Sequence, residues 1–358
     1  MTSFYSIAQR ALDEGGHTFH YHLVVQKAAQ NLAKEVFVYA PLASSLASLP
    51  DQWVRWFHPY SNQYKKLFQS DCKRLFLDKK GGKRIFFFES FGRREFRAFA
   101  LAALLHGKKE DYLWIVYRDD PSLRNKKDAG VFRFFTRLLR WKFGAHLVPL
   151  TDSEKLLPYY EGLLKRRPHL LPIPHTFFYP IQDLRMKKEL ICIWPGSPRE
   201  EKGMREISQL LQIQDDRSEH ITLNLSEETP LFPIRNGIKL SFRQSVLSKE
   251  FYFELLKKSD IVLLPYDPHQ YKWRTSGIFV ETIMAGKIPL VKGGWLADEL
   301  EKFHLQELIV DWEDPQFFSH LFALIQLPIV YEKLRKMQSA YAAFHSEENF
   351  TRLFTQLS

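Results

Sequence analysis

The chain has 358 residues, 45% of them hydrophobic and 15% aromatic, which suffices for folded cores but is too long for a single ordinary one. Its formal net charge is +10, and its two cysteines, Cys72 and Cys192, exclude a disulfide-built secreted scaffold. No run of about 20 apolar residues is present to cross a membrane as a helix, and no low-complexity tract argues for disorder.

The charge is unevenly spread. Residues 1–180 carry 29 Lys+Arg against 16 Asp+Glu, whereas residues 181–358 carry 22 against 25. A basic first half beside a near-neutral second half predicts different partners for the two; nucleic acid, anionic lipid or a phosphorylated substrate would suit the first. The opening Met1-Thr-Ser-Phe-Tyr-Ser lacks the basic and apolar regions of a secretion signal, so a cytoplasmic protein with reduced thiols is expected.

In chain order, Phe4–Ala8 reads as a short strand, Asp13–His17 as a glycine loop, and residues 19–33 as a helix with Val24, Val25, Ala28, Ala29 and Leu32 on one face. Val36–Tyr39 is the next strand, which makes a βαβ unit without the dinucleotide-binding glycine spacing. Residues 41–50 read as loop and Trp53–Arg74 as helix. Strands at Ile85–Glu89, Tyr112–Tyr117 and His146–Leu150 alternate with helices at Arg94–Leu105 and Val131–Phe143. Thr151-Asp-Ser-Glu154 has the spacing of a capping box and predicts a helix start. Pro168, Pro172, Pro174 and Pro180 then stop regular structure and mark a domain boundary near residues 168–187.

The alternation restarts with strands at Glu189–Trp194, His220–Leu225 and Gly237–Ser241, a helix around Met204, Ile207, Leu210 and Leu211, and another at Ser248–Leu256. Ile261–Leu264 is a strand buried on both faces, Ser276-Gly277 opens a helix, Gly286 ends it, and Pro289-Leu-Val begins another strand. A helix at 295–303, a strand at Leu308–Asp311 and two amphipathic helices complete the chain. The predicted class is α/β, with two doubly wound domains in tandem.

Two loops of the second domain suit an anion. Gly196-Ser197-Pro-Arg199-Glu-Glu-Lys202-Gly203 follows a strand and enters a helix; Arg199 offers a planar fork of donors and Lys202 a point charge, as a diphosphate requires. Ser276-Gly277 starts a later helix, whose N-terminus attracts anions, and Glu281 one turn further on can accept from a ribose diol. In the first domain, Glu89 and Arg118 end buried strands, where ligands are met. His17, His20 and His22 crowd six residues, but their spacing does not place all three on one helical face, and no carboxylate cluster accompanies them. No metal site is therefore expected.

These motifs, continued by Ser259-Asp-Ile-Val-Leu-Leu-Pro-Tyr266, Arg274-x-Ser276-Gly277-x-x-x-Glu281 and Gly286-Lys-x-Pro-Leu-Val291, resemble the retaining GT-B glycosyltransferases of the group-1 family (glycosyltransferase family 4-like). Gly15-Gly16-His17 looks like that family's acceptor-domain opening. The resemblance implies GT-B architecture with two Rossmann-like domains facing across a cleft: residues 1–175 on the acceptor side, 176–340 binding the nucleotide sugar, and 341–358 as a C-terminal helix crossing back. It implies a metal-independent hexosyltransferase without cofactor, using a nucleotide diphosphate sugar and an unidentified glycan, lipid or protein acceptor. His17, Arg199 and Lys202 would be catalytic. Gly196, Ser197, Arg274, Ser276, Gly277 and Glu281 would bind the donor, and Gly15, Gly16, Glu89 and Arg118 the acceptor.

Two departures stand out. The family's first glutamate, eight positions before Glu281, is Trp273 here, and the phosphate-loop arginine is displaced to Arg199. The alternative reading is therefore a catalytically silent GT-B-shaped binding protein. The basic, aromatic segment around Arg133, Phe134, Arg137, Arg140 and Trp141 suits the surface of an anionic membrane, which implies peripheral attachment at the inner face. No nucleic-acid-binding module is recognisable, and no nucleic-acid partner is expected.

Overall fold

Apolar runs at the centre of each half decide the two sheets. The computed structural model describes residues 2–11, 13, 17–45, 49–58, 64–78, 82–90, 92–118, 126–230, 232–244 and 247–357. The chain divides into one unit of residues 1–175 with 347–358, and a second of residues 176–346.

In the first unit, seven parallel strands lie in the order β3-β2-β1-β4-β5-β6-β7. They are β1 (Thr2–Ile7), β2 (Glu35–Pro41), β3 (Trp53–Phe57), β4 (Lys83–Ser90), β5 (Tyr112–Tyr117), β6 (Leu147–Thr151) and β7 (His169–Leu170). Helices α1 (His17–Ala29), α2 (Tyr64–Phe76), α3 (Arg93–His106), α4 (Lys126–Phe143) and α5 (Leu157–Leu164) connect them. Strands β1, β4 and β5 are buried because helices cover both faces of a parallel sheet. One of the resulting cores is finished from far away in sequence: Phe350 and Phe354 of the C-terminal helix α12 (Glu347–Thr355) pack with Phe4, Phe87 and Trp114.

In the second unit, five parallel strands are ordered β10-β9-β8-β11-β12. They are β8 (Leu190–Ile193), β9 (Ile221–Ser226), β10 (Lys239–Arg243), β11 (Ile261–Leu264) and β12 (Ile288–Val291). The helices are α6 (Met204–Leu210), α7 (Lys249–Lys258), α8 (Gly277–Met284), α9 (Trp295–Glu301), α10 (Phe317–Leu324) and α11 (Pro328–Phe344). Gln338 of α11 donates to Ile283 O and Met284 O (3.0 and 3.1 Å), which satisfies the orphan carbonyls at the end of α8.

Four local readings are corrected. Trp53–Phe57 is an edge strand, because Trp53 pairs with Val38 and its indole donates to Gln26 Oε1 (2.8 Å); the helix begins only at Tyr64. Thr151 ends β6, and its hydroxyl accepts from Ser153 N (3.2 Å) in a tight turn instead of forming a capping box; α5 starts at Leu157. The proline-rich segment begins with β7, which adds a seventh strand. Leu308–Asp311 contributes a single bridge, Val291 to Ile309, and three helices follow it.

Arg84 and Asp111 form a fully buried ion pair with two bonds (2.8 and 2.7 Å), and Arg84 also donates to Phe76 O (3.1 Å) and Asp78 O (2.8 Å). Arg84→Met strands the Asp111 carboxylate in the interior. Urea unfolding is expected to show a loss of about 3–5 kcal/mol, most of it recovered when Asp111→Leu is added.

Candidate functional site

Two loops leave neighbouring strands at the carboxyl edge of the five-stranded sheet. β8 leads into residues 194–203 and β11 into residues 265–276, while β9 lies on the other side of β8. The loops thus flank the point where strand order reverses, where open α/β sheets leave a ligand crevice.

The first loop is pinned from below. Trp194 Nε1 donates to Lys202 O (3.0 Å), and Arg243 Nη2 donates to both Trp194 O and Gly196 O (3.2 Å each). Gly196 has φ +82°, and any side chain there would collide with Lys202 Nζ; its Cβ position also lies 3.4 Å from Ile278 Cδ1, in the first turn of α8. Gly203, at φ +88°, lets the loop close against Pro265, and Asp267 N donates to Glu201 O (3.0 Å). Only glycine allows both the left-handed backbone and the close approach.

This geometry buries Lys202 to 6% exposure. Burial first, and then Arg199 with Arg274 and Arg243, push its ammonium down to about 8, against a smaller opposing pull from Glu201. Among the described residues the ammonium has neither a hydrogen-bond acceptor nor an ion-pair partner. Arg199 is exposed and reaches Glu201 at 3.1 Å. Ser197 is exposed as well. The result is a cationic centre in which Arg199 and Lys202 share Glu201 as counter-charge.

The second loop supplies a helix N-terminus. Ser276 Oγ accepts from Phe279 N (3.2 Å), which caps α8, and Gly277 is its first residue. The Tyr266 and Tyr271 rings meet at a tilt with centroids 4.5 Å apart, Arg274 lies over Tyr271 and Lys272 over Trp273 (5.5 Å each). The half-buried Trp273, where a carboxylate would be expected, thus presents a ring covered by a lysine. Glu281 is buried and accepts from Tyr252 Oη (3.0 Å). Burial and the Glu281 charge raise the Tyr252 pKa, so the phenol remains the donor.

Sequence reasoning missed Tyr252 and Arg243. Tyr252 sits on α7, where a tyrosine reads as packing, and Arg243 closes an edge strand; nothing local ties either to the loops. Only the sheet order does.

In the first unit, β1 and β4 flank the corresponding switch point. There the side chains form a chain: Ser6 Oγ to His22 Nδ1 (2.7 Å), His22 Nε2 to Glu89 Oε2 (3.0 Å), Arg118 to Glu89 (2.5 Å) and Arg118 to Asp152 (2.6 Å). Burial opposes the Arg118 charge, but Asp152 and Glu89 outweigh it and raise its pKa. Glu89 and Arg118 are therefore brought together, and His22 has the carboxylate neighbour that the sequence did not reveal. Gly15 and Gly16 lie outside the described residues, as does the side chain of His17, which opens α1. Among the described residues no group of three or more His, Cys, Asp or Glu could hold a metal ion.

No family model matches the chain, and no curated protein matches its sequence. Its fold is nevertheless shared. An α,α-trehalose 6-phosphate synthase from Burkholderia multivorans superposes with TM-score 0.60 at 9% identity, over 100% of this chain and 97% of that one. The calicheamicin glycosyltransferase CalG4 gives 0.55 at 11% identity, over 99% and 98%. An α-glucosyltransferase in complex with UDP and a DNA 13-mer gives 0.56 at 12%, over 98% and 97%. The chain is an α/β protein of the GT-B fold, with two Rossmann-like domains. One of these neighbours holds DNA, so the fold by itself does not exclude a nucleic-acid partner.

The depressed Lys202 pKa means that the free protein is strained at neutral pH. The penalty is complete below the folded value of about 8 and vanishes above the ordinary value of 10.5, where the lysine is neutral in both states. Lys202→Met is expected to raise the stability of the ligand-free protein at pH 7 by up to about 3 kcal/mol. That gain should shrink between pH 8 and 10.5, as followed by thermal unfolding across pH.

Proposed function

We propose that the protein is a glycosyltransferase that moves a hexose from a nucleoside diphosphate donor onto an acceptor hydroxyl. The observation that carries this reading is the Lys202 ammonium, buried under the charges of Arg199, Arg274 and Arg243, with Glu201 opposing them but no direct ion-pair contact to it among the described residues. A diphosphate supplies that contact, and the same cations then stabilise it as a leaving group. Arg199 can take two of its oxygens as a fork, and the capped N-terminus of α8 at Ser276-Gly277 offers backbone N–H groups to another. Glu281, oriented by Tyr252, accepts from the ribose diol.

In the transfer, the bond from the anomeric carbon to the diphosphate oxygen breaks and one to the acceptor oxygen forms, while the acceptor proton leaves with the diphosphate. Cationic side chains take the part a divalent metal has in other transferases, so we propose a metal-independent reaction. Retention of configuration rests on the resemblance to the group-1 family alone. Glu89 and Arg118, fixed in the first unit's polar chain, are proposed on the acceptor side.

The acceptor is proposed to be met at the inner face of an anionic membrane. Helix α4 exposes Trp141 (82%) and Phe134 (58%) between the exposed Arg133, Arg137 and Arg140. Aromatic side chains can enter the interface while the guanidinium groups pair with headgroups.

Calorimetric titration with UDP, GDP and ADP is expected to find one nucleotide that binds, and Lys202→Ala or Glu281→Ala to weaken it about tenfold or more. Unchanged affinity in both variants would sink the donor site. Because the ammonium must be protonated, affinity should fall as pH rises above about 8, and Lys202→Arg should flatten that decline. For the membrane contact, sedimentation with phosphatidylglycerol vesicles should show salt-sensitive binding that Trp141→Ser with Phe134→Ser abolishes; binding that survives the pair refutes it.

A further inference from the structure

The five-stranded sheet has a second basic site at its other edge. The donor loops leave the carboxyl ends of β8 and β11, whereas Lys187 and Lys188 precede β8 and His220 immediately precedes β9. With Arg217, Phe322 and Gln326 they line an open cavity of about 730 Å³. Its walls are cross-tied. Asp215 accepts from Ser319 N and Oγ (2.8 Å each), which fixes the turn at 216–220 to the start of α10, and Gln326 Nε2 donates to Arg185 O (3.0 Å), which fixes the end of α10 to the approach to β8.

The nearby carboxylates already have partners, two of them the basic residues Lys187 and His220 of the cavity itself. Asp260 bonds Lys187 Nζ (2.6 Å) and Ile191 N (2.9 Å), Asp183 pairs with Arg185, and Asp215 is held by Ser319 and Arg217 N. Glu219 reaches only His220, at 3.5 Å. Among the described residues, Lys188 and Arg217 therefore have no carboxylate partner. Arg217 is also pre-positioned, because its guanidinium lies 5.3 Å over the Phe322 ring, whose centroid is 6.2 Å from that of His220. This half of the chain carries more acidic than basic residues, so four basic side chains around one hollow do not follow from its overall charge.

We propose that this cavity binds a small phosphorylated molecule carrying at least two anionic charges, at a site separate from the donor loops. Lys188 and Arg217 are its phosphate ligands, His220 donates a ring N–H, and Gln326 borders the organic part. A cavity of this volume falls in the range of about 300–1,000 Å³ typical of small-molecule sites, far more than inorganic phosphate needs. The proposal does not depend on the donor reading, since the two sites share no residue.

Inorganic pyrophosphate, titrated calorimetrically into the full chain, tests it. Two classes of site are expected in the wild type. Lys188→Ala with Arg217→Ala, both surface changes, should weaken one class about tenfold or more and leave the other intact. Lys202→Met should remove only the other. If Lys202→Met has no effect while the double variant loses binding, this cavity stands and the donor site falls. A single class lost with Lys202→Met and untouched by the double variant, or no pyrophosphate binding at all, overturns the proposal.

Discussion

A buried ammonium under the charges of nearby guanidinium groups is costly, and the loop at residues 194–203 is tied down so as to hold it there. Gly196, with a left-handed backbone and no Cβ, leaves room for the end of the Lys202 side chain, and the loop closes because Gly203 can sit against Pro265. Arg243 reaches from the edge of the sheet to tie the loop down by two carbonyls. Each feature makes the ligand-free state less stable than a neutral core would be. Left-handed backbone and a buried charge gathered at one loop are what the proposed preorganised anion site requires.

The two units follow the same topological rule and differ in electrostatics. Both put polar side chains at the carboxyl edge beside a switch point. In the second unit Lys202 is buried among arginines, with Glu201 as an opposing charge. In the first, Ser6, His22, Glu89, Arg118 and Asp152 form a linked chain of hydrogen bonds and ion pairs in which each cation meets a carboxylate. Such charge pairing is in keeping with a proposed acceptor that presents a neutral hydroxyl where the proposed donor presents a diphosphate.

Much of this was legible in the sequence because βα alternation writes itself as apolar runs separated by capped helices. The stretch from Ile261 to Val291 could be assigned strand, cap, helix and strand from Ser276, Gly286 and the run Ile-Val-Leu-Leu alone. What failed were elements whose identity depends on distant partners. Trp53–Phe57 is a strand because Val38 and Gln26 receive Trp53, and Leu308–Asp311 is not one because the chain touches β12 at a single bridge. The site divides in the same way. Lys202, Ser276 and Glu281 sit in motifs with local spacing, whereas Tyr252 and Arg243 reach the site only through the sheet order. The side chain at Trp273 was visible from the start, but its covering lysine contact was not.

Helix α12 finishes the core around Phe4, Phe87 and Trp114 with residues translated only after the whole of the second unit. A chain emerging from the ribosome can close the second unit, a continuous segment, as soon as residues 176–346 are out. The first unit, translated earlier, must wait with an apolar groove open until Phe350 and Phe354 arrive. Order of synthesis and order of completion are thus reversed. Until then the groove is exposed apolar surface of the kind that makes incompletely folded chains prone to aggregate.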